Sequence, residues 1–294
     1  MIETVSNDDS TVSIERPALY VVATPIGNLG DLSLRAKSLL NEVDLLLVED
    51  KRVSARLLSF YGIQTKTRSI HDHNERKLAL DLAQEIKEQS LAVAQISDAG
   101  TPLISDPGYL LVNSAIGQGL PVIAVPGPCA AIAALSVSGL ATDQFLFVGF
   151  LNAKRGPKQR EIAALKHETR TLVFYEAPHR IQDTLQEFSL GFGSTRRAVI
   201  ARELTKRYES LYRGNLAELA ALSKTDPNIQ KGEIVIVVEA APEDPDLLHG
   251  EALRVLKLLL NELPPSRAVK LAVEITGVAK NELYRWVHEQ SPGE

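Results

Sequence analysis

The stretch Ser97–Gly108 reads SDAGTPLISDPG and separates two segments of regular pattern. The preceding segment, Leu91–Ile96, has the apolar composition of a buried strand, and the following segment, Tyr109–Gly117, is typical of a helix. Glycine, proline and aspartate in the stretch stop regular structure and fix turns. Open α/β sheets hold small ligands where strands end in such loops. The stretch therefore predicts an α/β fold with a ligand-binding loop, although a purely structural turn with well-capped ends is an alternative.

The loop also carries polar groups that suit a zwitterionic ligand. It has carboxylates at Asp98 and Asp106 and hydroxyls at Ser97, Thr101 and Ser105. Its backbone offers N–H and C=O groups, because glycine and proline interrupt the hydrogen-bonded pattern. Loops on rigid scaffolds carry function disproportionately often. We therefore expect a polar ligand with both charges rather than a bare phosphate.

The same pattern of an apolar strand followed by a polar or turn-rich cluster recurs along the chain. It predicts two α/β domains, at residues 16–126 and 127–241, after a flexible tail at residues 1–15. A Pro-rich acidic linker at 240–246 then leads into a helical appendage of helix-turn-helix character at residues 242–294. The appendage is equally suited to binding nucleic acid, pairing with itself or bracing the second domain. The expected strands are Ala18–Thr24, Val43–Val48, Thr67–Ile70, Leu91–Ile96, Pro121–Val125, Phe145–Leu151, Arg170–Tyr175, Ala198–Arg202 and Glu233–Glu239.

Composition limits the classes of function. The chain has 294 residues, 45% of them hydrophobic, and a formal net charge of −5, so it is not a nucleic-acid binder by global charge. Its single cysteine, Cys129, precludes an internal disulfide and fits a reducing cytoplasm. No apolar run is long enough to span a bilayer. The G-x-G-x-x-G, P-loop and G-x-S-x-G patterns are absent, so dinucleotide-binding, kinase and α/β-hydrolase chemistry lack their key parts.

The densest basic segment is Asn152–Arg160, which reads NAKRGPKQR. Its Gly-Pro pair predicts a turn, and hence a surface loop. Such a loop is usually only solvated, but it is also the best local candidate for contacting a phosphate backbone. The candidate RNA-binding residues are Lys154, Arg155, Lys158 and Arg160.

Polar residues after other strands are candidates for handling a proton or orienting a hydroxyl. They are Asp50, Arg52, His71 and Glu176. Each has a structural alternative as a surface charge, an ion pair or a helix cap. For the helix expected at Glu75–Gln89, Asp72 or Asn74 is the favoured cap. The His71-Asp72-His73 spacing matches no metal motif, and we expect no metal site.

Seven segments in a fixed order carry a family resemblance: TPIGNLGDLS, VEDKR, HDHNE, SDAGTPLISDPG, VPGPCAA, FVGFL and FYEAPHRI. Together they resemble the tetrapyrrole-methylase superfamily, which uses S-adenosylmethionine. More closely they are similar to its ribosomal-RNA branch, the small-subunit rRNA (cytidine-2′-O-)-methyltransferases. The last helices, with SRAVKLAVEITG, resemble the small helical domain of that branch. Lys51 stands where the family pattern usually has threonine.

The resemblance implies a class III methyltransferase fold, with S-adenosylmethionine in a cleft between two α/β domains. It implies a homodimer that methylates a cytidine 2′-hydroxyl in the decoding region of 16S rRNA, within the small ribosomal subunit and in the cytoplasm. The donor contacts that it implies are Pro25, Gly100, Thr101, Pro102, Ile104, Ser105, Gly127, Cys129, Ala130, Tyr175, Glu176, Ala177 and Gly232.

Two other functions compete with this one. A tetrapyrrole methyltransferase would also need basic residues in its cleft, because porphyrinoids carry many carboxylates. The basic segment and the helical appendage favour RNA, since a tetrapyrrole enzyme has no obvious need for the appendage. A binding or assembly module that kept the cleft without turnover is the third possibility.

Overall fold

The structure is a computed structural model that describes residues 13–242 and 245–290. Most of the expected tail, residues 1–12, and part of the expected linker, residues 243–244, lie outside the described residues. The chain divides into two compact units, residues 1–241 and 242–294. Both sheets belong to the first unit, and the boundary expected near residue 127 stays a prediction.

The first sheet has five parallel strands. They are β1 (Ala18–Val22), β2 (Leu45–Val48), β3 (Thr67–Ser69), β4 (Ala92–Gln95) and β5 (Val122–Val125). The order across the sheet is β3-β2-β4-β1-β5. β2 and β4 are buried throughout, as expected of strands covered on both faces. Because the strands are parallel, their carboxyl ends and the loops that follow them lie at one edge.

Helices cover both faces of this sheet. They are α1 (Leu34–Glu42), α2 (Lys51–Tyr61), α3 (Asp72–Glu88) and α4 (Tyr109–Gly117), and a short 3-10 turn at Leu29–Asp31 precedes α1. Side chains of α1 and α2 pack in one core cluster, and those of α3 and α4 pack in another. Alternate residues of β1 enter the two clusters, Tyr20 the first and Leu19 the second. The α/β architecture was expected from apolar strand runs that end in turn residues, whereas the parallel pairing and the cover on both faces come from the structure.

The second sheet is mixed. Its strands are β6 (Phe145–Phe150), β7 (Thr171–Glu176), β8 (Arg197–Arg202), β9 (Ser210–Asn215) and β10 (Ile234–Val238). The order is β6-β7-β10-β8-β9, with β6 and β7 parallel and every other pair antiparallel. β10, the last strand in sequence, is the central strand, and all its residues are buried.

The helices of the second sheet are α5 (Ala130–Ser138), α6 (Arg155–Ala164), α7 (Ile181–Phe192) and α8 (Leu216–Thr225). α5 packs on one face together with Ile26, and α6, α7 and α8 contribute to the core cluster on the other face. The expectation of a surface loop over Asn152–Arg160 was wrong from Arg155 onward. Gly156 and Pro157 lie in the first turn of α6, where a helix needs no N–H from proline.

The unit at residues 242–294 contains α9 (Pro245–Leu260), α10 (Pro265–Thr276) and α11 (Lys280–Gln290). Ala252, Leu256, Ala268, Val269 and Leu283 are buried in its core. Pro264 and Pro265 precede and begin α10, and Gly277 ends it in a left-handed conformation with φ of 73°. Among the described residues no helix is both long and apolar enough to cross a membrane. The two α/β sheets and the terminal helices confirm the predicted fold class.

Candidate active site

A cleft of about 350 Å³ lies in the first unit. The Ser97–Gly108 loop, the N-terminal end of α5 and the ends of β7 and β10 meet around it. Most of the donor contacts expected from the resemblance line it: Gly100, Thr101, Ile104, Ser105, Cys129, Ala130, Tyr175, Glu176, Ala177 and Gly232. The cleft thus lies at the carboxyl ends of parallel strands, where α/β sheets hold ligands.

Three of the expected donor contacts are not part of this lining. Pro25 and Pro102 are buried, and Gly127 packs on the end of β1, where an added Cβ would lie 3.0 Å from the Cβ of Ala23. The sequence analysis did not assign to the cleft several residues that line it, and their apolar or strand-end character gave no signal: Ile26, Ala99, Phe150, Pro178, Ala201, Leu204, Glu233, Ile234 and Val235.

Gly100 joins the Ser97–Gly108 loop, which we call the central loop, to the residues that follow β1. Its N–H donates to the Thr24 carbonyl at 3.1 Å, and the Thr24 N–H donates to the Gly100 carbonyl at 2.8 Å. The φ of Gly100 is +81°, and an added Cβ would lie 3.1 Å from Cγ2 of Ile26. Glycine is required here both by the left-handed conformation and by the close approach of Ile26.

Four non-glycine residues near the cleft also have left-handed backbones. They are Leu103 and Ser105 in the central loop, with φ of 72° and 69°, and Glu203 and Thr205 after β8, with φ of 51° and 66°. Such conformations cost on the order of 1–3 kcal/mol each and cluster at ligand-binding sites. Their positions support the assignment of this cleft as a functional site.

The segment after β8 reaches the loop that follows β1. The Asn28 N–H donates to Oγ1 of Thr205 at 3.1 Å. The side chain of Lys206 passes over Gly27 and ends in contacts with Glu203 at 2.9 Å and Glu233 at 3.1 Å. Because Glu233 lines the cleft, these contacts join the two sheets at its rim.

Three carboxylates at the carboxyl edge of the first sheet, which we call the acid edge, form no ion pair within the described residues: Glu49, Asp98 and Asp106. Burial raises the pKa of each carboxyl group above its ordinary value. Repulsion from neighbouring acids adds to this, since Asp106 and Asp98 both raise the pKa of Glu49. Asp106 lines the cleft, so the acid edge gives the cleft an uncompensated negative wall.

A second, shallower pocket of about 460 Å³ lies on the other side of the acid edge. We call it the outer pocket, and it brings together three of the four proton-handling candidates, Asp50, Arg52 and His71. Lys51, Ser69 and the acid-edge residues Glu49 and Asp98 complete its lining. The segments that follow β2 and β3 therefore share one pocket.

Two of these candidates also cap helices. Oδ1 of Asp50 accepts the Arg52 N–H at 2.7 Å at the start of α2. His71 precedes α3, and its N–H donates to Oδ1 of Asn74 at 2.9 Å. The predicted start of α3 at Glu75 was wrong, because the helix begins at Asp72 and His71 is its N-cap. Asn74 contributes a side-chain contact from inside the first turn.

Glu176 lies apart from the other three candidates, in the wall of the cleft. It is buried, and both of its carboxylate oxygens have partners. Oε1 accepts the Ala177 N–H at 2.8 Å and lies 3.2 Å from Nε of Arg180, and Oε2 accepts the Thr184 hydroxyl at 2.5 Å. These contacts fix the carboxylate and favour a positioning role.

The four basic residues predicted to bind RNA have different surroundings. Lys154 and Arg160 are exposed at α6. Arg155 is also exposed, and its Nε donates to Oε1 of Glu187 at 2.9 Å. Lys158 is 5% exposed, because it faces α7 rather than solvent. Its assignment to a phosphate-contacting surface was therefore wrong.

An aromatic group borders the cleft. The ring of Tyr175 lies 5.0 Å from that of Phe147 and 5.6 Å from that of Phe150, both in edge-to-face arrangements. The Tyr175 oxygen accepts the Ala131 N–H at 3.3 Å, and burial raises the pKa of this phenol. Phe150 lines the cleft and is 56% exposed. An exposed ring at a cleft mouth provides a surface on which a flat ligand can stack.

No group of three or more His, Cys, Asp or Glu side chains in the described part of the chain could hold a metal ion. The charge of the acid edge is available to a ligand that brings its own cationic centre.

Two family models match the chain. The model of tetrapyrrole (corrin/porphyrin) methylases matches residues 18–220, and that of the RsmI C-terminal HTH domain matches residues 246–291. The chain is 50% identical over 269 residues to a Pseudomonas aeruginosa protein named ribosomal RNA small subunit methyltransferase I, covering 91% of this chain and 95% of that protein. It is 46% identical to the protein of that name from Escherichia coli O157:H7, covering 92% and 95%.

Solved structures share the fold of the first unit at low identity. Uroporphyrin-III-C-methyltransferase from Thermus thermophilus has a TM-score of 0.55 at 19% identity, covering 80% of this chain and 98% of that one. Diphthine synthase has a TM-score of 0.59 at 14% identity, covering 76% and 90%. Another structure of the Thermus enzyme, complexed with S-adenosylhomocysteine, has a TM-score of 0.52 at 20% identity and covers 76% and 97%.

Proposed function

This chain belongs to the tetrapyrrole (corrin/porphyrin) methylase family, and from that premise we propose that it transfers a methyl group from S-adenosylmethionine to small-subunit ribosomal RNA. The observation that carries the proposal is the near full-length similarity to proteins named for that activity. We further propose that the acceptor is the 2′-hydroxyl of a cytidine in the decoding region of 16S rRNA, as the sequence resemblance implies.

The cleft fits the methyl donor in size and in charge. Its volume lies within the range of small-ligand pockets, roughly 300–1,000 Å³. The aromatic and aliphatic side chains of its wall suit an adenine ring. Gly100 and Gly232 have left-handed backbones that let Ile26 and Glu203 approach them closely, which shapes two parts of the wall. Asp106 supplies negative charge, which favours a cationic donor over its neutral product. When bound, S-adenosylmethionine supplies a methyl group activated by a sulfonium centre.

The residues of the chain have three tasks in this reaction. The walls of the cleft and of the outer pocket hold donor and ribose in line, and such alignment contributes up to about 7–11 kcal/mol in favourable cases. Asp50 and His71 are the proposed acceptors of the hydroxyl proton, a role that typically adds about 10²–10⁴-fold in rate. Arg52, whose side chain is 94% exposed, is proposed to orient the nucleotide through its phosphate.

RNA binding is proposed for the exposed cations of α6 and for the outer pocket. Lys154, Arg155 and Arg160 present positive charge in a chain of net charge −5, so they provide a local patch rather than a global field. A ribose hydroxyl can enter the site only if the nucleotide is splayed from its neighbours. The exposed ring of Phe150 offers a stacking surface for such a nucleotide.

We also propose that the chain acts as a homodimer. Tyr109 and Ile116 are exposed apolar residues seven positions apart on α4, so they lie on one face of the helix. A second copy of the chain would cover them. Light scattering should give the mass of a dimer, and Ile116→Glu should shift the chain toward monomer.

The deciding test uses tritiated S-adenosylmethionine and purified small subunits lacking the modification. We expect label in the RNA, and we expect the labelled linkage to resist alkaline hydrolysis because its 2′-oxygen is blocked. Label at a base, which leaves the linkage alkali-sensitive, would reject the 2′-O assignment. Absence of label in RNA, with turnover of a porphyrinoid acceptor, would replace the proposal by tetrapyrrole methylation.

A further inference from the structure

A buried hydrogen-bond chain connects α6 to the wall of the cleft. Nζ of Lys158 donates to Oγ1 of Thr184 on α7 at 3.3 Å. The Thr184 hydroxyl in turn donates to Oε2 of Glu176 at 2.5 Å. Thr184 and Glu176 are 1% and 3% exposed, so all three residues are shielded from water.

Burying these polar groups costs free energy of folding, so packing alone does not explain the arrangement. Burying an ammonium group disfavours folding unless it is paired and hydrogen-bonded, and an apolar side chain of similar volume would often serve stability equally well. Lys158 bonds to Glu176 through a hydroxyl rather than directly. The hydroxyl of Thr184 is thereby oriented, because it accepts from Lys158 and must donate to the carboxylate.

Glu176 occupies a position where its orientation affects the cleft. It ends β7, lines the cleft together with the next two residues, and also holds the Ala177 N–H. Arg180 fixes its Oε1 side, while Thr184 is the partner of Oε2. Loss of the Thr184 hydroxyl would leave Oε2 buried without a donor and free the carboxylate to rotate toward Arg180.

We propose that Lys158 and Thr184 are positioning residues for the donor cleft, acting through Glu176. This inference rests on the proposed function only in that the cleft binds S-adenosylmethionine. Lys158 thereby has a different role from its exposed neighbours Lys154 and Arg160, for which RNA contact is proposed.

The experiment measures donor affinity by calorimetry on the full chain. Thr184→Val removes the hydroxyl at nearly constant volume, and Thr184→Ser keeps it. We expect Thr184→Val to raise the Kd for S-adenosylmethionine about tenfold, the factor that roughly 1.4 kcal/mol represents. Thr184→Ser should restore an affinity close to that of the unaltered chain. Thr225→Val, at the exposed end of α8, is the matched control for the same substitution away from the cleft.

A second variant tests Lys158 itself. Lys158→Met keeps an unbranched side chain one heavy atom shorter and removes its charge, and it should also weaken donor binding while leaving the affinity for RNA unchanged. The double variant with Thr184→Val should be no weaker than Thr184→Val alone, because both substitutions interrupt one chain of bonds. Lys154→Ala with Arg160→Ala should show the reverse pattern, weaker RNA binding and unchanged donor binding.

Two results would overturn the inference. One is a Thr184→Val protein that melts at lower temperature but binds the donor as tightly as the unaltered chain, which would make the bond purely structural. The other is a Lys158→Met protein that loses RNA affinity and keeps donor affinity. Failure of the unaltered chain to bind the donor would overturn both this inference and the proposed function, whereas donor binding without RNA methylation would overturn the function alone.

Discussion

The carboxylates of the acid edge lack cationic partners within the described residues, whereas Glu187 on α7 and Glu168 before β7 are paired with arginines. Glu49, Asp98 and Asp106 have no cationic partner within the described residues, and burial raises the pKa of each. Glu187 accepts hydrogen bonds from Gln159 and Arg155, which lower the pKa of its carboxyl group. Glu168, which precedes β7, is held by Arg170.

The difference affects how each group contributes to the stability of the fold. A carboxylate that is paired with a cation stabilises the folded chain at pH values where it is ionised. A buried carboxylate without a cationic partner destabilises the folded state as the pH rises through its raised pKa. The ionised acid edge therefore lowers the stability of the fold. We expect a cationic ligand bound beside the acid edge to relieve this cost.

The largest effect that would break the comparison is expected at Gly100. Gly100→Val forces a branched side chain onto a φ of +81° and against Ile26, and we expect donor binding to fall below detection in calorimetry. Gly119→Val is the control, because Gly119 has a φ of +74° with nothing within 4 Å of an added Cβ. Equal donor affinity in the two variants would mean that the Ser97–Gly108 loop does not face the donor.

Asp106→Asn should sharpen the comparison by removing charge while keeping shape. We expect about tenfold weaker binding of S-adenosylmethionine and little change for the neutral product S-adenosylhomocysteine, together with a higher melting temperature at pH 7. In the unaltered chain, donor affinity should rise with pH through the raised pKa of Asp106 and then level off, because the ionised carboxylate binds the cation. A pH profile of calorimetric Kd values checks this, and parallel profiles for donor and product would contradict it.

Lys154→Ala with Arg160→Ala tests the exposed cations at α6, the helix that also supplies the partners of Glu187. We expect RNA affinity to fall several-fold at moderate salt. The slope of log K against log salt should decrease by roughly 0.7 for each lost phosphate contact. Filter binding over a salt series measures both quantities, with Lys224→Ala on α8 as a control for an exposed lysine elsewhere. An unaltered slope would move the RNA site away from α6.

The smallest effect concerns Glu168. Its bonds to Arg170 lower the pKa of the carboxyl group to about 2, below its value in the unfolded chain. The stability from this pair is therefore present above about pH 4 and lost as the pH falls toward 2. Glu168→Gln should cost on the order of 1 kcal/mol near neutral pH and flatten the acid limb of the stability curve, as measured by urea unfolding. An unchanged acid limb would mean that the pair of Glu168 with Arg170 does not stabilise the fold.

The strands of the first sheet could be predicted from sequence because they are apolar runs that end in turn residues. The predicted bounds of α4, Tyr109–Gly117, agree with the structure, since Gly108 and Gly117 bracket a clear apolar segment. β9 was missed because SLYRGN has neither an apolar run nor strict alternation. The antiparallel pairing of β10 between β7 and β8 was also beyond sequence periodicity, which records which face is buried but not which strand is adjacent.

The candidate site was predictable in part for the same reason. Asp50 and His71 were each identified as polar residues that follow a strand, and the structure brings them to one pocket because parallel strands share one edge. The burial of Lys158 could not be foreseen, since it depends on α7, whose pattern was not identified. Likewise, the partners of Glu176 lie on α7 and in its preceding turn, and no spacing rule identifies a residue as far along the chain as Thr184.

The position of β10 in the centre of its sheet governs when the chain can fold during synthesis. The first sheet is complete once Val125 has emerged, and it can assemble while translation continues. The other sheet has an open gap between β7 and β8 until residues 234–238 emerge. Nascent chains arrested before this point should expose two unpaired strand edges to chaperones, and the donor cleft should form only after residues 234–238 have emerged.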